Sequence, residues 1–285
     1  MRIPALVRLL RPALAPTAAA DVLAGAAFLG GASAGSTALA VTGAICIYTG
    51  GMAQNDLCDR ERDETLHPER PLVTQPRLVK PVRFLVLGLY LVGVAISGAP
   101  WPALAAAVLA NAYNLGLKHR FPFDVIAVGG ARAANLMIGF TIAAGPMSGA
   151  AWIYATAYFF WIAAITTSSR CEDLRPVQTR RLGLLLALPL KLAALFALAC
   201  LALDWSRAAV FFVPAALLTF FFVRAFHAGT RVAVMGYVLR CLQLIFVVHA
   251  ATLWAHGDTQ AVIPQLVCAA LSFFLLGALA PKKKS

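Results

Sequence analysis

Residues 37–64 read TALAVTGAICIYTGGMAQNDLCDRERDE, an uncharged run that passes without a break into a stretch crowded with charge. Thr37–Gln54 approaches the ~20 mostly apolar residues that a membrane-crossing helix requires. Apolar runs of similar size recur outward from it, near 12–33, 82–100, 101–117, 124–144, 150–169, 182–203, 207–226, 233–256 and 261–280. Of the 285 residues, 61% are hydrophobic and 13% charged, with a mean hydropathy of +0.79. A soluble domain carries about 25% charged residues, so most of this apolar surface needs lipid as its solvent. The expected fold is all-α: one polytopic transmembrane bundle over residues 1–285, with ten helices, nine being the alternative.

The net charge of +12 would suggest nucleic acid in a soluble protein. Here the basic residues punctuate the apolar runs instead, and no nucleic-acid partner is expected. If the N-terminus is cytoplasmic, alternate connections hold residues 1–11, 60–83, 118–120, 170–181, 224–231 and 282–284. These contain every Lys and Arg outside the runs except Arg207. Such asymmetry places both termini on the cytoplasmic side of a multi-pass integral protein. Arg2, Arg8 and Arg11 before the first run look superficially like a signal peptide, but no small-residue cleavage site follows, and the run reads as a retained helix. The six cysteines are scattered without metal-finger spacing, which argues against disulfides or a zinc site.

Arg132, Lys191 and Arg240 fall inside the runs, where charge is costly and faces a polar cavity or an interface. Lys191 and Arg240 are read as structural. Arg132 lies about two turns into the fifth helix, within reach of an anionic ligand.

At the end of the second helix, Asn55, Asp59 and Asp63 recur every four residues. On a helix this spacing stacks three oxygen-bearing side chains in one stripe about 12 Å long, each step turning by only about 40°. Mg²⁺ takes oxygen ligands, commonly one or two carboxylates together with phosphate oxygens. The stripe therefore suits Mg²⁺ held against a diphosphate. A solvated helix end with i,i+4 charge pairs, such as Arg60 with Glu64, is the plainer alternative. Basic residues on the same membrane face, Arg70 and Lys118 among them, favour a metal–phosphate site over it.

The pattern Asn55-Asp56-x-x-Asp59-x-x-x-Asp63, followed by Glu69-Arg70-Pro71 after a second apolar helix, resembles the UbiA superfamily of intramembrane prenyltransferases. Tyr113–Lys118 at the end of the fourth helix resembles that family's Tyr/Lys element. Gly130–Leu136, which includes Arg132 and Asn135, is similar to the EboC-type subgroup. The resemblance implies a bundle around a central cavity that opens towards the cytoplasm. It implies Mg²⁺ on Asn55, Asp59 and Asp63, with Asp56 assisting. Arg62, Arg70, Lys118, Tyr113, Arg132 and Asn135 would contact the diphosphate.

The family's second acidic motif, two aspartates four residues apart, is replaced here by Ser168-Ser169-Arg170-Cys171-Glu172-Asp173-Leu174-Arg175. Glu172 and Asp173 are adjacent, so on a helix they point about 100° apart. Glu172 is the preferred metal ligand and Asp173 the reserve; alternatively the pair caps a helix or bridges to Arg170 or Arg175. With Asp59 and Asp63, Glu172 completes the expected catalytic set.

The implied activity is Mg²⁺-dependent transfer of a prenyl group from a prenyl diphosphate to a lipid-soluble or aromatic acceptor, among membrane lipids. A terpene cyclase would use the same ionisation step, and a non-catalytic binder of lipid diphosphates would use only the binding. Aromatic faces for an allylic cation are offered by Tyr48, Tyr113, Tyr154, Tyr158, Phe159 and Trp161.

Overall fold

In the computed structural model, which describes residues 5–172, 174 and 176–279, every regular element among those residues is helical. Ten long helices occupy the places of the ten apolar runs. They are α1 (Ala15–Phe28), α2 (Ala34–Cys58), α3 (Val79–Ile96), α4 (Pro100–Leu115), α5 (Phe123–Ile142), α6 (Gly149–Arg170), α7 (Val177–Ala199), α8 (Phe212–Ala228), α9 (Arg231–His256) and α10 (Val262–Leu279). Among the described residues, seven segments are long and apolar enough to cross a membrane, while the apolar helices Pro12–Phe28 and Val262–Ala278 are shorter. The chain is an integral, multi-pass membrane protein.

Two boundaries differ from the sequence expectation for identifiable reasons. The first run was expected to reach residue 33, yet α1 stops at Phe28 because Gly30 and Gly31 adopt φ of 90° and 82°, a region side chains disfavour. Gly31 N–H closes the helix on the Ala26 carbonyl at 2.8 Å. The turn between the third and fourth runs falls before Pro100, which instead sits in the first turn of α4, where its missing N–H costs nothing.

Consecutive helices pair, and α1 also packs on α5, α9 and α10, so the two ends of the chain close the bundle. The seam is fixed by Ser272 Oγ donating to the Ala13 carbonyl at 2.8 Å and by Gln265 Nε2 donating to the Ala20 carbonyl at 3.2 Å. Lipid tails are as apolar as leucine, so helices associate in a membrane through close contact and polar pairing more than through hydrophobic burial. The α1–α5 crossing follows this rule. A Cβ on Gly139 would stand 2.2 Å from the Val22 carbonyl oxygen, and one on Gly25 2.3 Å from that of Leu136. Gly139→Ala is expected to force these helices apart and cost about 1–3 kcal/mol, the usual range for overpacking. Thermal unfolding in detergent should show a clear drop for Gly139→Ala and none for Gly149→Ala, where a Cβ would meet nothing within 4 Å.

Candidate active site

The charged stretch is built as a helix that barely pauses. α2 ends at Cys58, Asp59 keeps helical dihedrals at the junction, and a short helix Arg60–Leu66 continues the path. The four-residue spacing survives in the backbone: Asp59 N–H bonds the Asn55 carbonyl at 2.9 Å and Asp63 N–H that of Asp59 at 2.8 Å.

The side chains do not act as one column. Asn55 and Asp59 converge on the ammonium of Lys118, from the 3₁₀ turn after α4, with Nζ 2.8 Å from Asn55 Oδ1 and in contact with Asp59 Oδ2. Asp63, almost fully buried, accepts from Arg70 Nη1 at 2.6 Å, and the same nitrogen lies 3.5 Å from Asp56 Oδ1. Arg11 reaches Asp56 from the other side at 2.7 Å. Two cation-centred foci therefore stand side by side, Asn55/Asp59 around Lys118 and Asp56/Asp63 around Arg70. The sequence points to Arg70 and Lys118 but not to Arg11, whose pairing needs three-dimensional proximity across 45 residues.

Behind this mouth lies a cavity of about 410 Å³ between α1, α2, α4, α5, α6 and α9. Its wall is mostly apolar, with Ile47, Met52, Ala106, Ala110, Ile162 and Leu242 among the contributors. Tyr113 and Asn114 stand at the end of α4, and Asn114 Nδ2 is anchored on the Gly51 carbonyl at 3.0 Å. Gln54 is fixed by Tyr90 Oη at 2.7 Å and donates to Asn111 Oδ1 at 2.9 Å, which locks the last turns of α2 against α3 and α4.

Other predicted residues are placed elsewhere. Arg62 is exposed on the short helix. Glu172 pairs with Arg231 at 3.3 Å, and Asp173 lies outside the described residues. Arg170, offered as a partner for that pair, instead bridges to Asp124 and ties the end of α6 to the start of α5. Among the described residues, no three or more His, Cys, Asp and Glu gather into a group that could hold a metal. Cys171 is buried, and burial pushes its thiol up, away from thiolate chemistry.

The aromatic expectation is corrected in part. Tyr48 and Tyr113 line the cavity, but Tyr154, Tyr158 and Trp161 are fully buried in the core and do not. Tyr158 and Tyr154 belong to a polar cluster that the sequence reading missed. Asp21 of α1 accepts from Tyr158 Oη at 2.6 Å and from Arg132 Nη2 at 3.0 Å, with His249 Nε2 at 3.1 Å. Tyr154 Oη meets His249 Nδ1 at 2.6 Å. A single aspartate within an alanine-rich run was the available signal, since a charge at membrane depth seldom stands without a partner. Lys191 is structural as expected, bonded to Ser168 Oγ at 2.6 Å and Tyr237 Oη at 3.2 Å. Arg240 likewise holds Gln243 at 2.8 Å.

A many-helix membrane bundle with paired carboxylates and basic groups over an apolar cavity defines a class of intramembrane proteins suited to amphiphilic anions. The UbiA prenyltransferase family pattern matches residues 13–252, and the chain belongs to that family. Solved structures share the fold. One described as digeranylgeranylglyceryl phosphate synthase is 16% identical, with a TM-score of 0.68 over 90% of this chain and 98% of its own. A UbiA homologue from Archaeoglobus fulgidus bound to DMAPP and Mg²⁺ is 17% identical, with a TM-score of 0.61 over 97% and 100%. An apo UbiA homologue from Aeropyrum pernix K1 is 18% identical, with a TM-score of 0.58 over 93% and 98%. No curated protein matches the chain by sequence.

Proposed function

We propose that the protein is a Mg²⁺-dependent prenyltransferase whose charged end faces the cytoplasm, with both termini on that side. The observation that carries this reading is the apposition of Asn55, Asp59, Asp56 and Asp63 with Lys118 and Arg70 over a largely apolar cavity. The A. fulgidus homologue of the same fold is bound to DMAPP and Mg²⁺, which supports the same ligand pair here.

The donor set fits the ion. Mg²⁺ keeps several waters and needs only one or two protein carboxylates beside phosphate oxygens. Asn55 Oδ1 and Asp59 Oδ2 already converge on one cation, the Lys118 ammonium. Bound there, Mg²⁺ supplies positive charge to the diphosphate as a leaving group. Lys118 and Arg70 bind diphosphate oxygens, and Arg62 on the outer face of the short helix draws the anion in. The apolar wall receives the prenyl tail and keeps water from the allylic carbon. Tyr113 at the rim offers its ring to the developing cation. The allylic C–O bond breaks with its electron pair leaving on diphosphate. The acceptor's nucleophilic atom forms the new bond and releases a proton. Glu172, anchored by Arg231, has a lesser part in this reading, and the Asn55–Asp63 stretch carries the metal.

The test is to incubate purified protein with geranylgeranyl diphosphate, with and without a lipid-soluble acceptor, and to follow diphosphate release and products. Release is expected to require Mg²⁺, to fall at least ~100-fold with EDTA and to return on adding Mg²⁺. Cyclised hydrocarbons or alcohols formed without acceptor would identify a cyclase instead. Binding of the donor without release under any condition would leave a non-catalytic binder.

A further inference from the structure

Deep in the cavity stand polar groups that a hydrocarbon tail does not need. Arg132 lies nine residues into α5, about 13 Å from the start of that helix, and Tyr48 eleven residues before Asp59, about 16 Å along α2. Both line the cavity, as do Asn135, one turn beyond Arg132, and Thr17. The sequence expectation put Arg132 and Asn135 at the diphosphate. The contacts tie Arg132 to Asp21, Thr17 and Tyr158 instead, and neither Arg132 nor Asn135 touches the cluster around Lys118 and Arg70.

Asn135 is the telling residue. Its side chain is 4% exposed and makes no hydrogen bond to any described residue, with Oδ1 wholly buried and unpaired. A buried amide left unsatisfied costs about 1–3 kcal/mol, so the position has a partner to serve. A water can fill that place until a ligand oxygen displaces it. Tyr48 lines the same cavity, and Arg132 Nε is buried and unpaired. The guanidinium is held in place by Asp21, which is itself fixed by Tyr158 and His249. Arg132 and Asp21 cancel in charge, so this depth offers hydrogen bonds and no net charge. Such a site suits a neutral oxygen and disfavours an anion, which would have to be desolvated without a free counter-charge.

We infer that Tyr48, Asn135 and Arg132 form a second subsite that takes the neutral hydroxyl or carbonyl of the acceptor, separate from the carboxylate-lined mouth. Asp21, Tyr158 and His249 act as positioning residues for Arg132. The inference rests on the prenyltransferase reading for the word acceptor, though the pocket itself does not depend on it.

The probes are 4-butylphenol, 4-butylbenzoate and butylbenzene, matched in shape and differing in one group. Their dissociation constants for the full-length protein in detergent are measured alone and with farnesyl thiodiphosphate and Mg²⁺ present. The phenol is expected to bind about 5- to 10-fold tighter than either counterpart, the discrimination one or two neutral hydrogen bonds provide. Asn135→Leu and Tyr48→Phe should each reduce that preference to within about twofold, leaving farnesyl thiodiphosphate affinity unchanged within twofold. Tyr48→Phe removes one oxygen and no packing volume, so it serves even if Asn135→Leu fails to fold. Tightest binding of the benzoate, equal binding of all three probes, or retention of the preference in Tyr48→Phe would overturn the inference. So would weakened thiodiphosphate binding in Asn135→Leu with the phenol preference intact, since Asn135 would then serve the diphosphate. Failure of wild-type protein to bind farnesyl thiodiphosphate with Mg²⁺ would refute the prenyltransferase reading alone, and the measurements without donor would still judge the pocket.

Discussion

Asp59→Asn is expected to lower diphosphate release by at least about 100-fold while the protein still inserts and purifies normally. The substitution keeps the shape of the side chain and its bond from Asn55 Nδ2, which lies 3.2 Å from Oδ2. It removes the negative charge at the focus shared with Asn55 and Lys118. Even indirect supports of a metal ligand typically cost 10–100-fold when lost, so a ligand itself should cost no less. Glu172→Gln is the internal comparison. Its carboxylate is engaged by Arg231, and the expected loss is within about threefold, the scale of one partly exposed ion pair. Continuous detection of released diphosphate measures both. Wild-type turnover by Asp59→Asn would sink the proposed chemistry, and equal losses in both variants would restore Glu172 to the metal site.

Arg132→Leu should be among the most destabilising single changes in the chain. Asp21 has no exposed surface, and among the described residues Arg132 is its one guanidinium or ammonium partner. Removing one partner of a buried ion pair costs about 3–5 kcal/mol, because the other charge is left without compensation. Tyr158 and His249 would still donate to Asp21, but neither supplies the lost charge if His249 is neutral. The double variant Asp21→Asn/Arg132→Leu should recover a large part of the loss, since no unpaired charge remains. Thermal unfolding in detergent, run as a double-mutant cycle, measures the coupling. Additive losses would mean that the two residues act independently and that Arg132 is not positioned by Asp21.

Much of the helix order was legible because lipid imposes a coarse rule: an apolar run must be long enough, and basic residues gather on one side. Local chemistry moved the ends of those runs, as the two left-handed glycines do after α1. The Asn55–Asp63 spacing was equally readable, because a four-residue period survives any small bend in the helix. What it could not tell was how the side chains divide. Asp63 turns to Arg70 while Asp59 turns to Lys118, a choice made by the connections after the short helix and after α4. The Asp21 cluster was illegible for a related reason. Its members come from α1, α5, α6 and α9, and only the folded bundle brings residues 228 positions apart into one hydrogen bond. Tyr154, Tyr158 and Trp161 of α6 turn into the core rather than the cavity.

Lys118 and Arg70 sit as tethered counter-ions on the carboxylates that would ligate the metal. On the proposed reading, Mg²⁺ arriving alone must compete with an ammonium held at the same focus. Diphosphate arriving alone must draw the basic groups off the carboxylates, leaving negative charge exposed. With both present, Lys118 and Arg70 would be free to hold phosphate oxygens, and Asp59 and Asp63 would be free to hold the ion. Each ligand therefore raises the affinity for the other by the same factor, as linkage demands. On that reading the mouth would work as a thermodynamic coincidence detector, weakly responsive to Mg²⁺ or to stray anions by themselves and strongly responsive to the metal–diphosphate pair.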